Sequence, residues 1–391
     1  MDGSKIQEHQ NIITQIRLKA KKTEYERDKI MSKKDGMYYA PKSVTKNVVK
    51  EGDFTFSVAT MKHGHIWGMT QGLIDAGARL KYVYEEDETL LKQFTEKFPD
   101  AMVCTELETI LNDDETKLVA GAAIASERAE LGRKVMESGK DYFTDKAPFT
   151  SLEQIEMIEN VIKRTNKKYI VYYSELSHVE SAVYAGQLVE KGAIGKVVQV
   201  MNLGPHRLNE PSRPEWFFEK EKYGGILCDI GCHNIYQFLE YTDSDNAEVV
   251  RSAIGNYNNP KHPGLDDFGE ASLVSEKGHS HYFRVDWFTP DGLPCWGDGR
   301  LLILGTKGYI EVRKYIDPGK SEKGDNVLLV NDEVEQFENV SGKVGFPFFY
   351  GIIMDCLNRT ELAQSQHRAI EASRLSIIAQ NNAACLSQKF N

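Results

Sequence analysis

Between residues 54 and 175 the spacing of apolar positions keeps changing from one period to another. Short apolar runs such as TFSVATM (55–61), RLKYVY (79–84), MVCT (102–105), KLVAGAAI (117–124), KDYFT (140–144) and KKYIVYYSE (167–175) read as strands. The stretches between them, from IWGMTQGLIDAG (66–77) to SLEQIEMIENVIKRTN (151–166), repeat at helical spacing. Strands separated by helices of this length predict βαβ units and a parallel sheet. After Gly195 the rhythm becomes strand-rich, with KVVQVMNLG, EVVRSAIGNY, GEASLVSE, HSHYFRVDWF, RLLILGT, YIEVRKYI and NVLLV in succession, and one helix in CDIGCHNIYQFLEYT. Strands that follow one another without helices predict a mainly antiparallel open sheet, hence a second, α+β domain. The last two helical stretches, around 348–360 and 367–386, are expected to pack back across the domain junction. The fold class is α/β, with a first domain at 53–175, a second at 176–360 and a C-terminal helix over 361–391.

Composition adjusts this picture at one end. The 391-residue chain has a formal charge of −10, but residues 1–52 carry 12 Lys and Arg against 7 Asp and Glu. That basic, low-apolar segment cannot bury enough surface to offset its own ordering entropy, so an appendage is expected there. The acidic remainder excludes nucleic acid as a partner, because phosphate backbones call for a positive field. No run approaches the roughly 18 apolar residues of a membrane span, and MDGSKIQEHQ has no apolar signal region, which points to the cytoplasm. The six cysteines are scattered without a C-x-x-C pair, the usage of reduced thiols.

Chemistry enters first at the end of TFSVATM. A dinucleotide fold places the pyrophosphate at the N-terminus of the first helix, on free backbone N–H groups. Here the glycine-rich turn is replaced by Thr60-Met61-Lys62-His63-Gly64-His65, so Gly64 alone keeps the freedom of close approach while Lys62, His63 and His65 add side-chain donors. Glu85, about 25 residues past the loop, stands where an acid accepts hydrogen bonds from the ribose hydroxyls of NAD and repels the 2′-phosphate of NADP. NAD is the cofactor expected, with Ser126, Arg128 and Lys146 counted among its contacts.

A second constellation lies further on. In Asp145-Lys146-Ala147-Pro148, Lys146 leaves the carboxyl end of a parallel strand, where open α/β sheets bind ligands. In YGGILCDIGCHNIYQFLEYT, Asp229 and His233 are four apart and would share one helical face, about 6 Å apart. A carboxylate beside an imidazole fixes its tautomer for proton transfer. Cys228 and Cys232 flank that pair, but no further cluster at ligand spacing accompanies them, so no metal site is expected.

DKAP resembles the E-K-P signature of the Gfo/Idh/MocA oxidoreductases with Asp for Glu, and GGILCDIGCH resembles their G-G-G-x-x-x-D-x-G-x-H signature with Tyr223 for the first glycine. The resemblance implies a Rossmann-type NAD-binding domain followed by an α+β domain whose open sheet mediates homo-oligomers. It implies Lys146 as the catalytic lysine, with Asp229 and His233 as its acid and histidine. Two departures stand out: the missing glycines, and Tyr236 where many members carry a further Asp. Beyond the signatures, aromatic faces mix with hydrogen-bonding side chains at His206, Arg207, Arg213, Trp216, Phe217, Trp287 and Trp296, and Tyr173 and Glu175 end a strand facing the same junction. This mixture suits a polyhydroxylated ring, so the expected substrate is a sugar, polyol or glycoside. The expected reaction is oxidation of a secondary hydroxyl, with hydride to NAD and the proton to His233. Transient oxidation followed by elimination, and a non-catalytic NAD or sugar sensor, are the alternatives.

Overall fold

The structure is a computed structural model, and it describes residues 48–387 except 51 and 321–322. Most of the basic segment at 1–52 therefore lies outside the described residues. Val48 and Val49, at its end, are half-buried against the first core.

Six parallel strands form the first sheet: β1 (Thr55–Met61), β2 (Arg79–Tyr84), β3 (Met102–Val103), β4 (Thr116–Ala122), β5 (Asp141–Asp145) and β6 (Tyr169–Tyr172). Their order, β3-β2-β1-β4-β5-β6, is that of the doubly wound dinucleotide fold, with the chain reversing direction between β1 and β4. β1, β5 and β6 bury nearly every side chain, as strands covered on both faces must. The helices begin and end where local chemistry allows. Asp87 caps Glu88–Lys97 by accepting from the Thr89 and Leu90 N–H groups, and Asn166 closes Leu152–Thr165 in the left-handed conformation.

The second sheet has nine strands: β7 (Val197–Pro205), β8 (Ala247–Gly255), β9 (Phe268–Ser275), β10 (Ser280–Asp286), β11 (Arg300–Gly305), β12 (Gly308–Arg313), β13 (Asn326–Asn331), β14 (Glu335–Asn339) and β15 (Ala384–Cys385). The order is β14-β13-β12-β11-β7-β10-β9-β8-β15, antiparallel except where β7 meets β10 and β15 meets β8. Burial alternates along β10 and β11, so one face is covered and the other is open. The expectation of a parallel sheet followed by a large, mainly antiparallel one is met.

Two helices bind the halves together. Pro347–Asn358 returns to the first core, where Phe348, Phe349, Ile352 and Ile353 pack with β1 and with the helix His65–Asp75. A domain boundary at 360 thus falls after an element that belongs to the first core. Gln366–Asn381 spans the junction: Tyr173 Oη donates to the Ala369 carbonyl, while Gln380 accepts from the Leu227 N–H and donates to Asp266. Among the described residues no helix is long and apolar enough to cross a membrane.

Candidate active site

The carboxyl edge of the parallel sheet meets the segment 224–233 in a narrow cavity of about 40 Å³. That volume holds a few waters, given that one water takes at least roughly 10–15 Å³ measured this way. His63 and His65 come to it from the β1 loop, Lys146 from the end of β5, Glu175 from the turn after β6, and Asp229 and His233 from the second half of the chain. His206, Trp287, Trp296 and Tyr315 wall the opposite side.

Lys146 is fixed at its root and at its tip. Its carbonyl and that of Ala147 accept from the Arg128 guanidinium, its N–H donates to Asp145 Oδ1 at 2.7 Å, and its Nζ donates to Asp229 Oδ1 at 2.7 Å. Burial alone would raise the Asp229 carboxyl, but the Lys146 charge outweighs it and holds the group below its ordinary value. Asp229 therefore orients Lys146. It does not orient His233 as the four-residue spacing predicts, because Leu227–Gly231 is a wider π-turn that displaces the expected helical face. Asp229 Oδ2 and His233 Nδ1 are both buried without a hydrogen-bond partner among the described residues. Burial pushes His233 well below the usual imidazole range, so its ring is neutral. Glu175, by contrast, stays charged. Burial would raise it, but the Lys314 ammonium 2.6 Å away brings it down to about 2, and Tyr315 Oη donates to its other oxygen at 2.6 Å.

The first loop departs further from expectation. The Glu85 carboxylate is turned back onto the loop, accepting from the Met61 N–H at 2.7 Å, Lys62 Nζ at 2.5 Å and the Asp87 N–H at 2.9 Å, with its side chain 1% exposed. Lys62, standing where a glycine would have no side chain, reaches the acid expected to face a ribose. The His63 N–H donates to the Ala122 carbonyl, whereas the N–H groups of Lys62 and Gly64 have no acceptor among the described residues. Among the described residues Thr60 Oγ1 is buried without a hydrogen-bond partner, and the helix His65–Asp75 starts without a side-chain cap. Those donors fit an anionic pyrophosphate at this helix N-terminus.

Asp145 is the residue the sequence reading missed. His63 Nδ1 and His65 Nδ1 each lie 2.8 Å from one of its oxygens, and it accepts from Arg128 at 3.2 Å. Its part in DKAP had drawn attention only to the neighbouring lysine. Three other expectations are corrected. Arg128 is 1% exposed and spends its guanidinium on the Ala123, Lys146 and Ala147 carbonyls and on Asp145, so it holds the site together from behind. Tyr173 turns towards Ala369 and Ser373 and stacks on Tyr236, leaving Ser174 and Glu175 to line the cavity. Trp216 packs against Phe217, and it is Phe217 that reaches the wall. Arg207 does line the cavity, while its guanidinium ties down Asp291 and the carbonyls of Leu293 and Cys295. Ser126 is half-buried in the turn after β4, where its carbonyl accepts from Gln154.

A doubly wound sheet, an α+β half with an open sheet, and a lysine–aspartate–histidine cavity at their seam define the class. A model of the GFO/IDH/MocA C-terminal domain matches residues 183–311. The solved structure of a candidate oxidoreductase from Erwinia carotovora atroseptica SCRI1043 is 46% identical, covers 85% of this chain and 100% of its own, and superposes with a TM-score of 0.83. Levoglucosan dehydrogenase in complex with NADH shares the fold at 16% identity, over 84% of this chain and 98% of that one, with a TM-score of 0.69. The D-xylose dehydrogenase of Paenarthrobacter nicotinovorans is 26% identical over 152 residues, which are 38% of this chain and 39% of that enzyme. The chain belongs to the GFO/IDH/MocA family of oxidoreductases.

Proposed function

We propose that the protein is an NAD-dependent dehydrogenase oxidising a secondary hydroxyl of a sugar, polyol or glycoside. The observation that carries this reading is the convergence of Lys146, Asp229 and the neutral His233, whose Nδ1 has no hydrogen-bond partner among the described residues, in one buried cavity beside indole and imidazole walls. The xylose and levoglucosan dehydrogenases among the similar proteins support a sugar, and the NADH complex of the latter supports the cofactor. Thr60, the N–H groups of Lys62 and Gly64, and Ser126 would hold it. When bound, NAD supplies the hydride acceptor.

The protein's own residues supply the proton chemistry. His233 takes the hydroxyl proton, a role open to it because burial keeps the ring neutral. Lys146 donates an N–H to the same oxygen and stabilises the alkoxide as charge develops, in a site too small to admit much water. Asp229 keeps Lys146 aimed. Lys146→Ala and His233→Ala should each lower kcat by about 10²–10³ with the fold intact. The test is NADH formation across a sugar panel, and unchanged turnover in either variant refutes the assignment. With a glycoside and catalytic NAD, a keto-sugar with matching NADH supports net oxidation, whereas aglycone release without net NADH replaces it by transient oxidation and elimination.

The open face of the second sheet, with Leu304 at 41% and Phe337 at 45% exposure, is the surface for self-association. Light scattering should give a mass above one chain, and Leu304→Asp should lower it.

A further inference from the structure

The β1 loop and the end of β5 bring together three groups that the proton-transfer scheme does not use. His63 Nδ1 and His65 Nδ1 each lie 2.8 Å from a different oxygen of Asp145, and the ligand atoms of all three side chains fall within 4.8 Å of one another. We propose that His63, His65 and Asp145 bind a divalent first-row transition metal ion at the floor of the cavity. Two imidazoles and one carboxylate on one side of an ion form a donor set that leaves its remaining positions open.

Three features favour an ion over a hydrogen-bonded cluster alone. The frame is rigid. The His63 N–H is tied to the Ala122 carbonyl, while Arg128 and the Lys146 N–H hold Asp145 from behind, so outer partners orient the ligands as they do in built metal sites. The space lies alongside: His63 and His65 line the cavity, with Asp145 buried behind them, and about 40 Å³ accommodates an ion with a few waters. Across the same cavity, His233 Nδ1 and Asp229 Oδ2 are buried with no hydrogen-bond partner among the described residues, and either can hold a water on the ion. The open positions would take a hydroxyl or carbonyl oxygen, which the ion polarises as a Lewis acid beside Lys146.

This inference does not rest on the dehydrogenase reading, because metal content and NADH binding are measured separately on the same protein. The full chain, stripped with chelator and dialysed, is titrated with Co²⁺ and Zn²⁺. About one equivalent per chain should survive gel filtration. His63→Ala and His65→Ala should each weaken binding at least about tenfold. His262→Ala, at a partly exposed histidine paired with Glu210, should leave it unchanged. Because an alanine can disturb the loop, His63→Cys gives a second measure: a thiolate on bound Co²⁺ produces a charge-transfer band that neither parent nor His262→Cys shows. No retained metal in the parent, or equal retention in the two alanine variants with folded circular-dichroism spectra, overturns the proposal.

Discussion

Glu175 carries a charge at the centre of the molecule because Lys314, itself 2% exposed, meets it there. Its carboxyl titrates near 2 rather than at its ordinary value. A carboxyl lowered on folding contributes stability above its unfolded value of about 4.5, and that contribution drains away as the pH falls towards 2. Glu175→Gln removes the partner and leaves Lys314 buried alone, so it should cost about 3–5 kcal/mol in urea denaturation at pH 7. Loss of less than about 1 kcal/mol would mean that water reaches the lysine. Lys62→Ala tests the first loop in the same way. Glu85 would keep two backbone N–H donors, so the expected loss is smaller, about 1–3 kcal/mol. Residues such as Lys146 and His233 were legible because their signatures are local in sequence. The partners of Glu175 lie 139 and 140 positions away, and nothing in KYI could announce that its lysine and tyrosine close over that acid. Tyr173 misled for a different reason: the residue leaving a strand can face either side, and only the later helix at 366–381 supplies its acceptor.

At the scale of elements, the π-turn Leu227–Gly231 decides which way Asp229 points, and it is held from outside. Gln380 accepts the Leu227 N–H at 2.9 Å, and Gly225, at φ +93°, leaves room for that amide. A Cβ at residue 225 would stand 2.3 Å from Gln380 Cδ, in a backbone conformation that side chains rarely adopt. Gly225→Ala should therefore destabilise the protein by about 1–3 kcal/mol and weaken turnover more than it weakens secondary structure. Gln380→Ala, which opens that space but frees Leu227 N, should reproduce the loss of turnover with a smaller change in melting temperature. Periodicity revealed the long elements because their buried faces are apolar. It could not reveal β14, whose EQFEN has no buried face, or β15, whose two exposed residues join the sheet only through backbone pairing with β8.

The molecule as a whole contains histidines whose neutrality depends on its being folded. Burial pushes His206 and His281 to about 4. In the unfolded chain they protonate near 6.5, so the unfolded state binds more protons between those values and stability falls as the pH drops through that window. The urea midpoint should decline from pH 7 to pH 5, partly offset by carboxyls such as Glu240 and Asp325 that burial raises, and His281→Gln should flatten the decline if the buried rings cause it. The chain's order of synthesis has a consequence of its own. β6 is the edge of the parallel sheet, and the N–H groups of Tyr169 and Val171 are satisfied by Gln366 and Gln364, which lie 197 and 193 residues later. A ribosome therefore releases an almost complete nucleotide-fold sheet with a bare edge long before its cover is translated, and such an edge is a template for pairing with a neighbouring nascent chain. Stalled chains ending at residue 360 should associate with one another or recruit chaperones, while chains long enough to expose Gln366 outside the exit tunnel should stay monodisperse.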